Sequence, residues 1–235
     1  MSKHHLVLLP GLDGTGQLFA PLLKVLPPNF TATVVRYPPT EPLAYDQLKP
    51  LLQQSIPLHE PFVLVAESFS GPLAIELTAT QPHNLRALIL CASFVSNPAP
   101  PLLQWIRWLN APFWFQYRLP PTFVRYAAAM WDCEASVIDS LIEHTHFVRP
   151  EVLSHRFAQV MQINVQTQLR RCAVPLLYVR GTRDLLVMKH NWKTIARLKP
   201  DASYAEIDAS HFVLQHKPVE AMAAIQTFLA ANFDA

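Results

Sequence analysis

Cysteine is sparse. Cys91, Cys133 and Cys172 are the whole set, odd in number and far apart, and no C-x-x-C pair occurs. A disulfide framework and a zinc knuckle are therefore excluded as the basis of the fold, and three reduced thiols fit a cytoplasmic protein. An excess of charge of one sign is also missing. Lys+Arg number 19 and Asp+Glu 17, a formal balance of +2, and no run of basic residues occurs. Electrostatics thus give no footprint for nucleic acid. No apolar stretch approaches the roughly 18 residues that would span a membrane. The first apolar run, residues 6–9, is too short for a signal-peptide core and stops at Pro10-Gly11. No internal repeat or low-complexity segment is present. The first loop's glycines, Gly11, Gly14 and Gly16, read G-x-x-G-x-G. That is not the dinucleotide spacing G-x-G-x-x-G, and no Gly-Lys-Ser/Thr follows. His144, His146 and His155 have no companion carboxylate cluster, so neither a metal nor a cofactor is expected.

What is present is apolar. Of 235 residues, 51% are hydrophobic and 15% charged, enough to bury the core of one domain, with or without an insertion. In the first part of the chain, "LVLLPG" (6–11), "TATVVRYP" (31–38), "FVLVAE" (62–67) and "LRALILCAS" (85–93) are short continuous apolar runs bounded by turn residues. Such runs suit strands covered on both faces. Helical texture lies between them, with a proline inside each of the first two helices. This alternation predicts an α/β fold with a mostly parallel sheet and right-handed crossovers. Residues 96–170 break the rhythm, opening on "SNPAPP" and continuing as helical segments that hold four of the five tryptophans. The alternation then resumes with "VPLLYVRGTRD" (174–184), a helix near 189–198, "SYAEIDASH" (203–211) and a last helix over 218–233. The expected organisation is a core of 1–95 and 171–235 with an insertion at 96–170.

The stretch "LVAESFSGPLA" (64–74) turns a strand into a helix at Ser68 with no turn dipeptide. A corner this sharp forces its apical residue to positive φ and needs small neighbours two before and two after. Ala66 and Ser70 meet that need, with Gly71 next. This is a small-residue version of the G-x-S-x-G nucleophile elbow, which holds the serine hydroxyl out at the carboxyl end of the sheet. The alternative is that Ser68 only caps the helix that follows.

Serine needs a base to act as a nucleophile, and the base needs an orienting acid. Asp184 follows a strand and a glycine turn in "VRGTRDLLV". His211 follows the last strand in "IDASHFVLQHKP". His216 competes as base and Asp208 as acid. The glycine-turn placement, which leaves a carboxylate free at a strand tip, favours Asp184. An oxyanion hole needs two N–H donors. Phe69, right after the nucleophile, supplies one. Leu12, in "LLPGLDGTGQLF", supplies the other, with Asp13-Gly14 as the turn and Thr15 starting a helix.

With these pieces the chain resembles the α/β-hydrolase superfamily along nearly its whole length. "PGLDGTG" stands for the oxyanion loop, "AESFSG" for the elbow, "GTRDLLV" for the acid turn and "SHFVLQHKP" for the histidine turn. The resemblance implies Ser68 as nucleophile, Asp184 as acid, His211 as base and a helical lid after the fourth strand. It also implies six parallel strands in the order 2-1-3-4-5-6, without the family's usual two N-terminal antiparallel strands. Pro10 replaces the His common before the loop glycine, and Ala66 and Ser70 replace the elbow glycines. The expected activity is a serine hydrolase cleaving a carboxylic ester or thioester with a hydrophobic acyl group. Trp105, Trp108 and Trp114 in the insertion are candidates for lining an acyl pocket, or else pack the lid on the core. The same scaffold also runs acyl transfer, C–C cleavage and elimination, and can serve as a non-catalytic binding module. Its partner is a small-molecule substrate.

Overall fold

A computed structural model describes residues 3–100 and 134–233, together with Thr122, Arg125 and Tyr126. Six strands form one sheet: β1 (His4–Leu9), β2 (Phe30–Val34), β3 (Phe62–Glu67), β4 (Leu85–Cys91), β5 (Leu176–Gly181) and β6 (Ser203–Ile207). All pairings are parallel, in the order β2-β1-β3-β4-β5-β6. This is the expected order.

The central strands are mostly apolar because both faces are covered; all six residues of β3 and of β5 are buried, Glu67 and Arg180 among them. Alternate side chains go to opposite faces. Val7, Leu9, Leu64 and Ala66 join one core, with helices α2 (Tyr45–Ser55) and α3 (Gly71–Thr78). Leu6, Leu8, Val63 and Val65 join the other, under α1 (Ala20–Lys24) and the C-terminal helix Pro218–Phe233. The edge strands β2 and β6 are mostly half-buried or exposed.

Two local expectations differ from the structure. Thr15 does not start a helix: Gly14 and Gly16 both take φ of 72°, and the helical turn begins at Gln17. The Asp13 carboxylate captures the Thr15 N–H at 2.8 Å instead. β2 ends at Val34 rather than near residue 38, because the Tyr37 N–H leaves the sheet to donate to the Gly14 carbonyl, 2.8 Å away. Pro50 lies inside α2, in a stretch with the expected helical texture.

After β4, helices α4 (Ala135–Thr145), α5 (Pro150–Gln162) and α6 (Gln166–Arg170) follow among the described residues. A single antiparallel bridge joins Ser96 to Asn164, and the Val165 N–H donates to Val95 O at 2.8 Å. The chain between them leaves and returns at one point. Two further helices, α7 (Lys189–Leu198) and α8 (Val213–His216), flank β6. No helix among the described residues is long and apolar enough to cross a membrane.

Candidate active site

The corner between β3 and α3 is built as its residue sizes require. Ser68 has φ of 48°, a left-handed conformation uncommon away from glycine. Ala66 and Ser70, the two small neighbours, are fully buried. A Cβ on Gly71 would fall on the Ser93 side chain, so only glycine lets α3 start this close to β4. Ser93 Oγ donates to the Ser68 carbonyl at 2.7 Å, and the Tyr178 hydroxyl donates to the Ser93 carbonyl at 2.7 Å. On the other flank the Tyr45 hydroxyl donates to the Phe69 carbonyl at 2.7 Å, its ring stacked on that of Phe69. Ser70 Oγ donates to the Pro10 carbonyl and also bonds the Tyr37 hydroxyl. The left-handed corner is therefore fixed by side chains from four other segments.

His211 and Asp184 arrive from the loops after β6 and β5. Ser68 Oγ lies 3.0 Å from His211 Nε2, and His211 Nδ1 lies 2.9 Å from Asp184 Oδ2. The other Asp184 oxygen accepts the N–H groups of Leu186 and Val187 at 2.9 and 2.8 Å. Asp184 is an acceptor only, so Nδ1 carries the proton and Nε2 is left to accept from the serine hydroxyl. The two loops are locked together at Gly181: a Cβ there would fall on the backbone carbonyl of Ser210. The Arg183 N–H donates to Ala209 O at 3.0 Å. Burial pulls the pKa of His211 down, but the Asp184 carboxylate, by charge and by hydrogen bond, and Glu67 more than offset this, leaving it above the ordinary histidine value. Of the competing residues, Asp208 is exposed and pairs with Arg183 at 3.2 Å, and His216 pairs with Glu134 at 3.1 Å. Neither belongs to the Ser68–His211 line.

Residues 45–210 match the family described as serine aminopeptidase, S33. The chain belongs to the α/β-hydrolase superfamily. Solved structures with this fold include an enol-lactonase from Burkholderia xenovorans LB400, 17% identical with a TM-score of 0.78, covering 98% of this chain and 92% of that one. A thermophilic esterase from Thermogutta terrifontis is 18% identical at a TM-score of 0.77, covering 98% and 90%. The esterase RhEst1 from Rhodococcus sp. ECU1013 is 17% identical at 0.74, covering 98% and 91%. No curated protein matches the sequence.

In this α/β-hydrolase the serine opens into a cavity of about 500 Å³. Leu12 and Phe69 both line it. No hydrogen bond engages the Leu12 N–H among the described residues. Phe69 is second in the 3₁₀ turn Ser68–Ser70, where N–H groups have no partner within the turn. The walls are largely apolar: Leu141 from α4, Leu153, Phe157 and Met161 from α5, and Leu185 to Val187 after β5. Trp105, Trp108 and Trp114 lie outside the described residues.

Sequence reasoning missed four residues of this site. Glu67, directly before the serine, lines the cavity yet is 3% exposed. Gln215 Nε2 donates to its Oε2 at 3.1 Å. Burial pushes the Glu67 carboxyl up to about 7, against a smaller opposite pull from His211. Its place before Ser68 was a visible signal. Gln215, Ser93 and Arg156 gave none, since each reaches the site from a distant segment through a bond the sequence does not encode locally.

Proposed function

We propose that this α/β-hydrolase is a serine hydrolase that cleaves carboxylic esters or thioesters with a hydrophobic acyl group. The observation that carries the reading is the unbroken line from Ser68 Oγ through His211 to Asp184, at 3.0 and 2.9 Å, at the mouth of an apolar cavity. Ser68 Oγ attacks the carbonyl carbon as His211 Nε2 takes its proton. Asp184, held by two backbone N–H groups, stabilises the imidazolium that forms. The Leu12 and Phe69 N–H groups receive the negative oxygen of the tetrahedral intermediate. His211 then protonates the leaving alcohol or thiol as its bond to carbon breaks. Water, deprotonated by the same nitrogen, releases the acid from the acyl-enzyme. Residues 96–170 act as a lid over the acyl chain, a role supported by the apolar side chains of α4 and α5 in the cavity wall and by the meeting of the segment's ends at Ser96 and Asn164.

The test is labelling with a fluorophosphonate and turnover of p-nitrophenyl esters and acyl thioesters of graded chain length. Covalent mass is expected on Ser68, with turnover rising from short to medium chains and disappearing in Ser68→Ala. Turnover that persists undiminished in Ser68→Ala would sink the reading.

A further inference from the structure

Arg156 stands on α5, outside the sheet, yet is only 1% exposed. No carboxylate forms an ion pair with it among the described residues. Its guanidinium spends its donors on backbone carbonyls: Nη1 donates to Leu12 O at 3.0 Å and to Asp13 O at 2.7 Å, and Nη2 to Pro38 O at 3.0 Å. It lies over the Tyr37 ring, 5.6 Å from the centroid. Gly14, at φ +72°, leaves the room it occupies, since a Cβ there would fall on the guanidinium.

Burying a guanidinium with no carboxylate in ion-pair contact is costly, the nearby Asp13 charge offsetting only part of it, and an unbranched apolar side chain would fill the same space without that cost. What the charge adds is a fixed orientation of peptide planes. Ser70 Oγ holds the Pro10 carbonyl, and with it the Pro10–Gly11 plane. Arg156 holds the Leu12–Asp13 and Asp13–Gly14 planes. The plane between them, Gly11–Leu12, carries the Leu12 N–H; its Gly11 carbonyl accepts from the Gly14 N–H at 3.1 Å, an amide in one of the planes that Arg156 holds.

We propose that Arg156 is a positioning residue for the oxyanion hole. Docking of α5 through this guanidinium sets the Leu12 N–H, so the helices after β4 and the catalytic loop engage as one unit. This rests on the serine-hydrolase reading of the site.

The test compares wild type with Arg156→Met and Arg156→Lys. It reads kcat and KM on a p-nitrophenyl ester, affinity for an alkylboronic acid that forms a tetrahedral adduct with serine, thermal midpoint, and amide exchange over residues 11–14. Losing an oxyanion donor costs roughly 10²–10³ in kcat, and displacing one costs less. Arg156→Met should therefore lose about 10- to 100-fold in kcat with KM nearly unchanged, bind the boronate correspondingly more weakly, and exchange faster at residues 11–14. Arg156→Lys should recover part of each. Should Arg156→Met not fold, Arg156→Gln, which keeps an N–H donor but no charge, is expected to give a partial version of the same pattern. Unchanged kcat and unchanged loop exchange in a folded variant would overturn the proposal, as would a loss confined to thermal midpoint or KM. A wild type without Ser68-dependent turnover would defeat the hydrolase reading instead, and loop exchange alone would then decide the role of Arg156.

Discussion

Glu67 is a carboxyl buried beside Ser68, and replacing it with glutamine makes a strong test of the site's electrostatics. The groups facing it are His211 from the loop after β6, Asp13 from the loop after β1, the Cys91 thiol on β4 and the Gln215 amide on α8. Its carboxyl is pushed from 4.5 to about 7, chiefly by burial. At about 1.4 kcal/mol per pH unit, that difference between folded and unfolded states amounts to about 3 kcal/mol. The folded carboxyl holds its proton more tightly, so folding takes up a proton between pH 4.5 and 7. The corresponding stability is full below pH 4.5 and is lost as pH rises through 7. Glutamine keeps an oxygen for the Gln215 amide and has nothing to titrate. Urea unfolding of both proteins from pH 4 to pH 8.5 should show Glu67→Gln gaining on wild type by about 3 kcal/mol across that range. The same variant removes a negative neighbour of His211, so the acid limb of kcat/KM should move to lower pH. Parallel stability curves for the two proteins, with no shift of that limb, would refute the reasoning.

Further outcomes follow from the same geometry. Asp184→Asn should cost on the order of 10⁴ in kcat, read by ester turnover, because it disturbs the His211 tautomer. His211→Ala should abolish turnover, whereas His216→Ala, which loses only a partly exposed pair with Glu134, should change kcat by no more than about threefold. In wild type, the midpoint of the acid limb should lie above the ordinary histidine value of 6.5, since His211 must be neutral to accept the serine proton and its pKa is raised; a midpoint at or below that value counts against the Asp184 contact. Ser70→Ala strands the Pro10 carbonyl and the Tyr37 hydroxyl in the core and should cost about 1–3 kcal/mol in urea unfolding.

The central strands were legible because burial on both faces leaves mostly apolar side chains in β1, β3, β4 and β5. The corner at Ser68 was legible because its sterics act on neighbours two residues away. The proximity of Asp184 and His211 followed from both sitting after strand ends of one parallel sheet. What escaped was set by long-range bonds. Thr15 failed to open a helix because Asp13 held its amide and two left-handed glycines flanked it. β2 ended early because Tyr37 donated to a loop from another strand. Arg156 meets Leu12 across a separation of 144 residues, and Gln215 meets Glu67 across 148. No window of sequence contains both partners of either bond.

The bridge between Ser96 and Asn164 has an evolutionary consequence. A chain that departs and re-enters at neighbouring points behaves as a cassette: its length and contents can be exchanged without moving any strand of the sheet, at an entropic cost that grows only slowly with loop size. On the proposed reading, the acyl preference can therefore drift quickly while the reaction stays fixed. On the role proposed for Arg156, any exchanged cassette must still present a cation where it now stands, or the sheet would inherit a new pocket with a slackened loop after β1.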